Sequence, residues 1–137
     1  MTWLVDTNIL SELRKGERAP DGIRTWFAAA AEEDLFTSVL VLGEVRRAIE
    51  SIRRRDLPSA LALEQWLARL ETSFAERVLL IDAKVADCWG RLNVPDPIPT
   101  VDGLLAATAL VHDMVLVTRN AKDVERTGVR LLDPSVG

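Results

Sequence analysis

Four carboxylates and one amide are placed where they could do chemistry: Asp6, Glu44, Asp102 and Asp123, with Asn120. Asp6 ends the short apolar run Trp3-Leu4-Val5 and is followed by the polar, turn-competent pair Thr7-Asn8. Open parallel sheets bind ligands at the carboxyl ends of their strands, which is where such a residue stands. Equally, Asp6 could cap a short helical turn running through Leu13. Glu44 lies in a helical pattern with Leu40 and Ala48 on its own column, bordering the apolar stripe Val41, Val45, Ala48, Ile49 and Ile52. A carboxylate without a partner is costly to bury, so Glu44 is either partnered or exposed at the edge of the stripe. Asp102 opens a helix of small residues from Gly103 to Leu110, a place where an acid also suits the helix dipole. Asn120 and Asp123 follow the apolar run Met114–Val117. Locally they read as the cap and third-position acid of a short helix; taken with the other acids, one of them offers a further oxygen at a strand end.

Carboxylates held together repel one another, so either a proton or a divalent cation must settle among them. Hard oxygen ligands select Mg²⁺ or Mn²⁺, and such an ion can activate water and stabilise the charge that develops on a phosphodiester. Composition removes most other chemistries. A single cysteine, Cys88, excludes an internal disulfide and a multi-cysteine zinc site. A single histidine, His112, excludes a histidine cluster, and no G-x-S-x-G elbow accompanies it. Both read as structural, Cys88 as a small buried apolar residue. The net charge of −4 gives no global attraction to nucleic acid, so any such binding needs a local basic patch. Arg46, Arg47, Arg53, Arg54 and Arg55 offer one, with Arg46 above Arg53 and Arg47 above Arg54 on one helix side. Glu50 lies among them and could pair with Arg46 or Arg54, leaving a self-paired solvated face. Arg14, Lys15 and Arg18 form a second cluster, and Arg119 stands nearest the acids. The four tryptophans, Trp3, Trp26, Trp66 and Trp89, read as core.

Short apolar runs must carry these acids: Trp3–Val5, Leu35–Thr37, Val78–Ile81, Met114–Val117 and Val129–Leu132. They hardly alternate, as strands buried on both faces should not. Helical patterns lie between them: 21–31 with Asp21 as a possible cap, 38–54 opened by Ser38, 57–74, 82–91, 100–113, and a short one from Asn120. Strands alternating with helices predict an α/β fold with a mainly parallel sheet. The Pro-rich segment Asn93–Pro99 predicts a stiff connector. The 57–74 helix has a broad apolar face that, with the helix before it, could form a groove for an amphipathic partner segment. At 137 residues, 48% hydrophobic and 28% charged, the chain reads as one globular domain over 1–137. No uninterrupted apolar stretch approaches the length of a membrane span. The first cation is Arg14, so no secretory signal is expected and a cytoplasmic location is.

Four segments in order resemble the PIN-domain ribonucleases, and within them the VapC-type toxins of bacterial toxin–antitoxin pairs: Trp3–Glu12, which contains Asp6-Thr7-Asn8, then Ser38–Val45, Asp102–Ala109 and Leu116–Asn120. The resemblance implies a PIN-like α/β/α sandwich and Mg²⁺- or Mn²⁺-dependent endonucleolytic cleavage of RNA. It also implies a homodimer and a cognate VapB-type antitoxin that blocks the site. The three core acids of the family fall on Asp6, Glu44 and Asp102, the expected metal ligands. The fourth, usually aspartate, falls on Asn120, which leaves Asp123, one turn on, as the substitute ligand. Asn8 and Thr118 match polar residues that support the acids. Two rivals use the same residues differently. An aspartate-nucleophile phosphohydrolase of the haloacid dehalogenase type also begins with a strand ending in Asp, but wants a second Asp where Asn8 stands. A non-catalytic binding module would use the acids as caps and surface charge.

Overall fold

A computed structural model of the chain describes residues 1–136; Gly137, the last residue of the expected domain, lies outside the described residues. Five strands form one parallel sheet: β1 (Trp3–Val5), β2 (Leu35–Ser38), β3 (Val78–Leu79), β4 (Val115–Val117) and β5 (Leu131–Leu132), in the order β3-β2-β1-β4-β5. β1 is central, pairing Trp3 with Leu35 on one side and with Val115 on the other. After β1 the chain builds outward through β2 and β3, then crosses back to lay β4 on the other flank of β1. The switch point of the sheet therefore lies between β1 and β4, and ligands of open α/β sheets bind at such a point, outside the carboxyl ends of the strands. Leu4, Val5, Leu116 and Val117 are fully or almost fully buried, which is why these runs read as continuous apolar stretches.

The helices are α1 (Thr7–Leu13), α2 (Asp21–Ala29), α3 (Val39–Arg53), α4 (Leu57–Phe74), α5 (Ala83–Leu92), α6 (Thr100–Val111) and α7 (Ala121–Val124). Side-chain caps start most of the long ones. The Ser38 hydroxyl accepts from Leu40 N–H at 3.1 Å, the Asp56 carboxylate from Ser59 N–H at 3.1 Å, and the Asp82 carboxylate from Val85 N–H at 3.0 Å. Each satisfies a donor that the first helical turn leaves free. Asp21 is not a cap: Pro20 holds that position, and Asp21 is the first helical residue, paired with Arg24. β3, at the sheet edge, stops at Leu79, short of the expected Ile81, and leaves Leu80 67% exposed.

In α3 the stripe Val41, Val45 and Ile49 is buried; Ala48 lies outside it, exposed. α4 turns Ala60, Trp66, Leu67, Leu70 and Phe74 into the core. The expected groove between α3 and α4 is therefore closed by their own packing. An open apolar groove lies instead where α4 meets α1 and α2, lined by Leu10, Leu13, Phe27, Trp66, Leu70 and Phe74. Arg14 stands on its lip, 5.7 Å from the centroid of the Trp66 ring. The tryptophans are packing residues: Trp3 meets Trp26 edge-on at 5.7 Å, and the indole N–H groups of Trp26 and Trp89 are buried. Cys88 is only half-buried, and its thiol is pushed up by that partial burial and by neighbouring Asp87. Among the described residues no helix is long and apolar enough to cross a membrane.

The end of the chain closes over α2. A methyl group built on Gly22 would overlap the Pro134 carbonyl oxygen, so only glycine lets this backbone pass. Gly22→Ala is expected to destabilise the fold by about 1–3 kcal/mol, the usual cost of forced overpacking. Urea unfolding measures it, and an unchanged midpoint would refute the close contact.

Candidate active site: a carboxylate edge at the sheet switch point

Three elements deliver the acids to one edge. Asp6 follows β1 directly, and its N–H continues the ladder by donating to the Val117 carbonyl at 3.0 Å. Glu44 lies in the second turn of α3, which starts where β2 ends. Asp102 is in the first turn of α6. α6 leads into β4 through a tight turn in which Met114 N–H donates back to the Ala109 carbonyl at 2.8 Å. The helix therefore runs against the strand direction, and its start lies at the carboxyl edge.

The Pro-rich connector fixes that start. The Asn93 side chain donates to the Trp89 carbonyl at 2.8 Å and accepts from Ile98 N–H at 3.0 Å. Arg126 holds the loop through the carbonyls of Leu92 and Asp96. Trp89 lies against Gly103, where a methyl group would come within 3.3 Å of the indole, so α6 seats closely on α5 beside Asp102.

Asp6 is both strand-end acid and helix cap. It is 4% exposed, and its Oδ1 accepts from Thr7 N–H at 2.6 Å. Its Oδ2 accepts from the Thr118 hydroxyl at 2.7 Å and from the Asn8 amide at 3.2 Å. Thr118 in turn accepts from Asn120 N–H at 3.0 Å and from the Asn8 amide at 3.3 Å, so the loops after β1 and β4 are laced through this carboxylate. All of these donors are neutral. Burial pushes the Asp6 carboxyl above the usual carboxylate range; the bonds from Thr118 and Thr7 oppose this, and the charges of Glu44 and Asp102 add to it.

Glu44 is partnered: its Oε1 accepts from the Thr7 hydroxyl at 2.6 Å. Asp102, half-buried, is also pushed up, chiefly by desolvation; the Asn120 side chain opposes this by hydrogen bonding, while Asp123 and Glu44 add to it through their charge. Asn120 stands at the cap position of α7, as its sequence neighbours suggest, but its side chain makes no capping bond. Asp123 is exposed and acts on Asp102 by charge alone.

The arrangement suits a divalent cation. Asp6 is desolvated and faces neutral donors, and the nearby acids repel it, so the edge carries negative charge that no side-chain cation among the described residues pairs with. Among the described residues, three or more acids, histidines or cysteines do not form a ready-made metal cage. That is compatible with Mg²⁺, which keeps several of its waters and takes only one or two carboxylates directly.

The basic clusters resolve differently from one another. Arg46 and Arg53 are both paired with Glu50 and with Glu64 of α4. Glu50 pairs with Arg53 rather than Arg54, and this is the self-paired face. Lys15 pairs with Glu12 at 2.9 Å. Arg119 sits beside the acids: its N–H donates to Asn8 Oδ1 at 3.1 Å, and its guanidinium meets Glu12 at 2.9 Å. Glu12, 15% exposed in its side chain, stands out little in local pattern; its spacing from Lys15 and its place at the end of the Trp3–Glu12 segment are its sequence signals. His112 ends α6 in the open.

The fold has counterparts among known proteins. The model of the PIN domain family matches residues 3–129, and the chain belongs to that family. A VapC ribonuclease of Sinorhizobium fredii is 28% identical over 141 residues, with 96% of each chain covered. The structure of FitAcB from Neisseria gonorrhoeae superposes with a TM-score of 0.89 at 23% identity, covering 99% of this chain and 100% of that one. A toxin–antitoxin complex from Klebsiella pneumoniae gives 0.72 at 24%, covering 97% and 98%.

Proposed function

We propose that this chain is a metal-dependent endoribonuclease and the toxin of a toxin–antitoxin pair, acting in the cytoplasm on RNA phosphodiester bonds. The observation that carries the reading is Asp6: a buried carboxylate held only by neutral donors, at the switch point of a PIN fold, under the charge of Glu44 and Asp102. The kinship with a VapC ribonuclease supports RNA as substrate.

In this reading Asp6, Glu44 and Asp102 hold one Mg²⁺ or Mn²⁺ ion, partly through water. When bound, the ion lowers the pKa of water and stabilises charge at phosphorus. The chain's own groups set the stage. Thr118 and Asn8 lock the Asp6 carboxylate in one orientation. Asn120 steers Asp102 as a hydrogen-bond donor, and Asp123 adds negative charge on that flank. Arg119 gives up its bond to Glu12 to meet a phosphate. A VapB-type antitoxin segment fits the apolar groove between α1, α2 and α4, whose arginine-bearing lip suits an acidic, amphipathic chain. A second copy completes a homodimer, for which Leu57 and Leu61, 52% and 49% exposed, offer apolar surface.

The test is incubation of purified protein and its Asp102→Asn variant with total RNA in Mg²⁺, Mn²⁺ or EDTA, followed by end mapping. Wild type is expected to cut with either metal and not with EDTA. Asp102→Asn should be slower by at least about 100-fold, the upper end of what losing a mere supporting partner of a metal ligand costs. Full activity in EDTA would overturn the reading.

A further inference from the structure

Thr7 touches two of the acids at once. Its backbone N–H donates to Asp6 Oδ1, and its hydroxyl donates to Glu44 Oε1, each at 2.6 Å. The two carboxylates come from different elements, with Asp6 capping α1 and Glu44 inside α3. The bond from Thr7 is the only hydrogen bond to the Glu44 carboxylate among the described residues, and no cation pairs with it there.

The geometry is specific to this position. Thr7 is the first residue of α1, and the cap of that helix is supplied by Asp6. A threonine inside a helix commonly turns its hydroxyl back to the carbonyl a turn earlier; at the first position no such turn exists. The hydroxyl is free to leave its own helix and reach across to α3. A glutamate has three side-chain torsions, and one that borders an apolar stripe beside other negative charges is drawn outward to water. A single neutral donor opposes that swing. It fixes Oε1 without neutralising the carboxylate, and it leaves Oε2 without a partner among the described residues.

We propose that Thr7 is the positioning residue that holds Glu44 beside Asp6, so that both carboxylates face one divalent cation. The inference rests on the nuclease reading and adds to it a residue that touches neither metal nor substrate. Thr7→Val removes the hydroxyl and keeps both the shape and the backbone N–H that Asp6 needs. Thr7→Ser keeps the hydroxyl.

The experiment is a titration of the purified full chain with Mn²⁺ alone, followed calorimetrically, with thermal unfolding and RNA-cleavage kinetics on the same samples. Thr7→Val is expected to weaken Mn²⁺ binding about 10-fold, at the lower end of outer-partner effects. Its kcat should fall with KM for RNA little changed, and its apo unfolding temperature should stay near wild type. Thr7→Ser should bind Mn²⁺ within about threefold of wild type. Should Thr7→Val not fold, Thr7→Ala takes its place, alanine being the better helix former. Wild-type Mn²⁺ affinity in the variant lacking the hydroxyl would overturn the inference and leave the nuclease reading standing. So would equal losses in Thr7→Val and Thr7→Ser. A wild-type chain that takes up no Mn²⁺ and cuts no RNA would overturn both.

Discussion

Asp6→Asn is expected to abolish RNA cleavage while leaving the fold in place. The substitution removes one charge and keeps the shape. The introduced amide retains an oxygen for Thr7 N–H, which lies 2.6 Å from Asp6 Oδ1 in the wild-type chain, so α1 keeps its cap. What disappears is the carboxylate charge that neutral donors hold at the switch point beside two neighbouring acids. A loss of more than about 100-fold in kcat/KM, or roughly 2.7 kcal/mol of transition-state stabilisation, is the expected scale. Stability should move far less, since the relief of a desolvated charge is set against a poorer match to the donors Thr118 and Asn8. Circular dichroism and thermal unfolding check the fold, and end-labelled RNA checks the rate. Substantial activity in a folded Asp6→Asn protein would refute the role of this carboxylate.

The second large effect is in the coupling of stability to pH and metal. Asp6 and Asp102 both have carboxyl groups pushed above their ordinary value of 3.8. An acid whose pKa is raised on folding holds its proton longer in the folded state than in the unfolded one. As pH climbs from about 4 through the raised pKa values, the folded state alone keeps the proton, so apo stability falls across that window. Glu12, Glu50, Asp56 and Glu64 are shifted downward, and their hydrogen-bonding partners cause it. Those groups contribute stability that is complete above about pH 5 and lost only as pH falls through their folded values. The downward component, from about pH 4 through the raised values, therefore belongs to Asp6 and Asp102. In chelator, the unfolding temperature should decline over that range above about pH 5, and Asp6→Asn should flatten the decline. Mg²⁺ at about 100 times its dissociation constant should restore about 2.7 kcal/mol at neutral pH, and less at about pH 5, where protons compete for the same oxygens. An apo protein whose stability rises from about pH 5 to neutrality would contradict this.

Much of the architecture was legible because buried parallel strands leave plain marks. Trp3–Val5 and Met114–Val117 could hardly be anything but interior strands, and β1 and β4 are found there. Asp6 was legible as a residue at a strand end, although sequence left strand-end acid and helix cap as alternatives; the structure has one carboxylate serving as both. The convergence of Asp102 was less plain. The Pro-rich loop drew attention, but the decisive feature is the tight turn from α6 into β4, which sets the helix antiparallel to the strand it feeds.

Side-chain partners across the fold were not legible. Nothing local ties Thr7 to Glu44, because the contact exists only once α1 and α3 stand side by side. Asn120 reads as a cap from its own neighbours and holds that position in α7, but its influence on Asp102 of another helix exists only in the folded chain. The Arg46 and Arg53 face looked open because half of its neutralising charge, Glu64, comes from α4. The apolar face of α4 was visible as a stripe, yet which side of it stays uncovered depends on where α1 and α2 end.

One measurement bears on the shared-ion claim more directly than any rate. Crystals of the wild-type chain grown with Mn²⁺ should show an anomalous peak at the carboxyl edge between β1 and β4. It should be bonded to Asp6 and joined, directly or through one water, to Glu44 and Asp102. A peak away from these three side chains, or no peak at an Mn²⁺ concentration that supports cleavage, would contradict a site built on them.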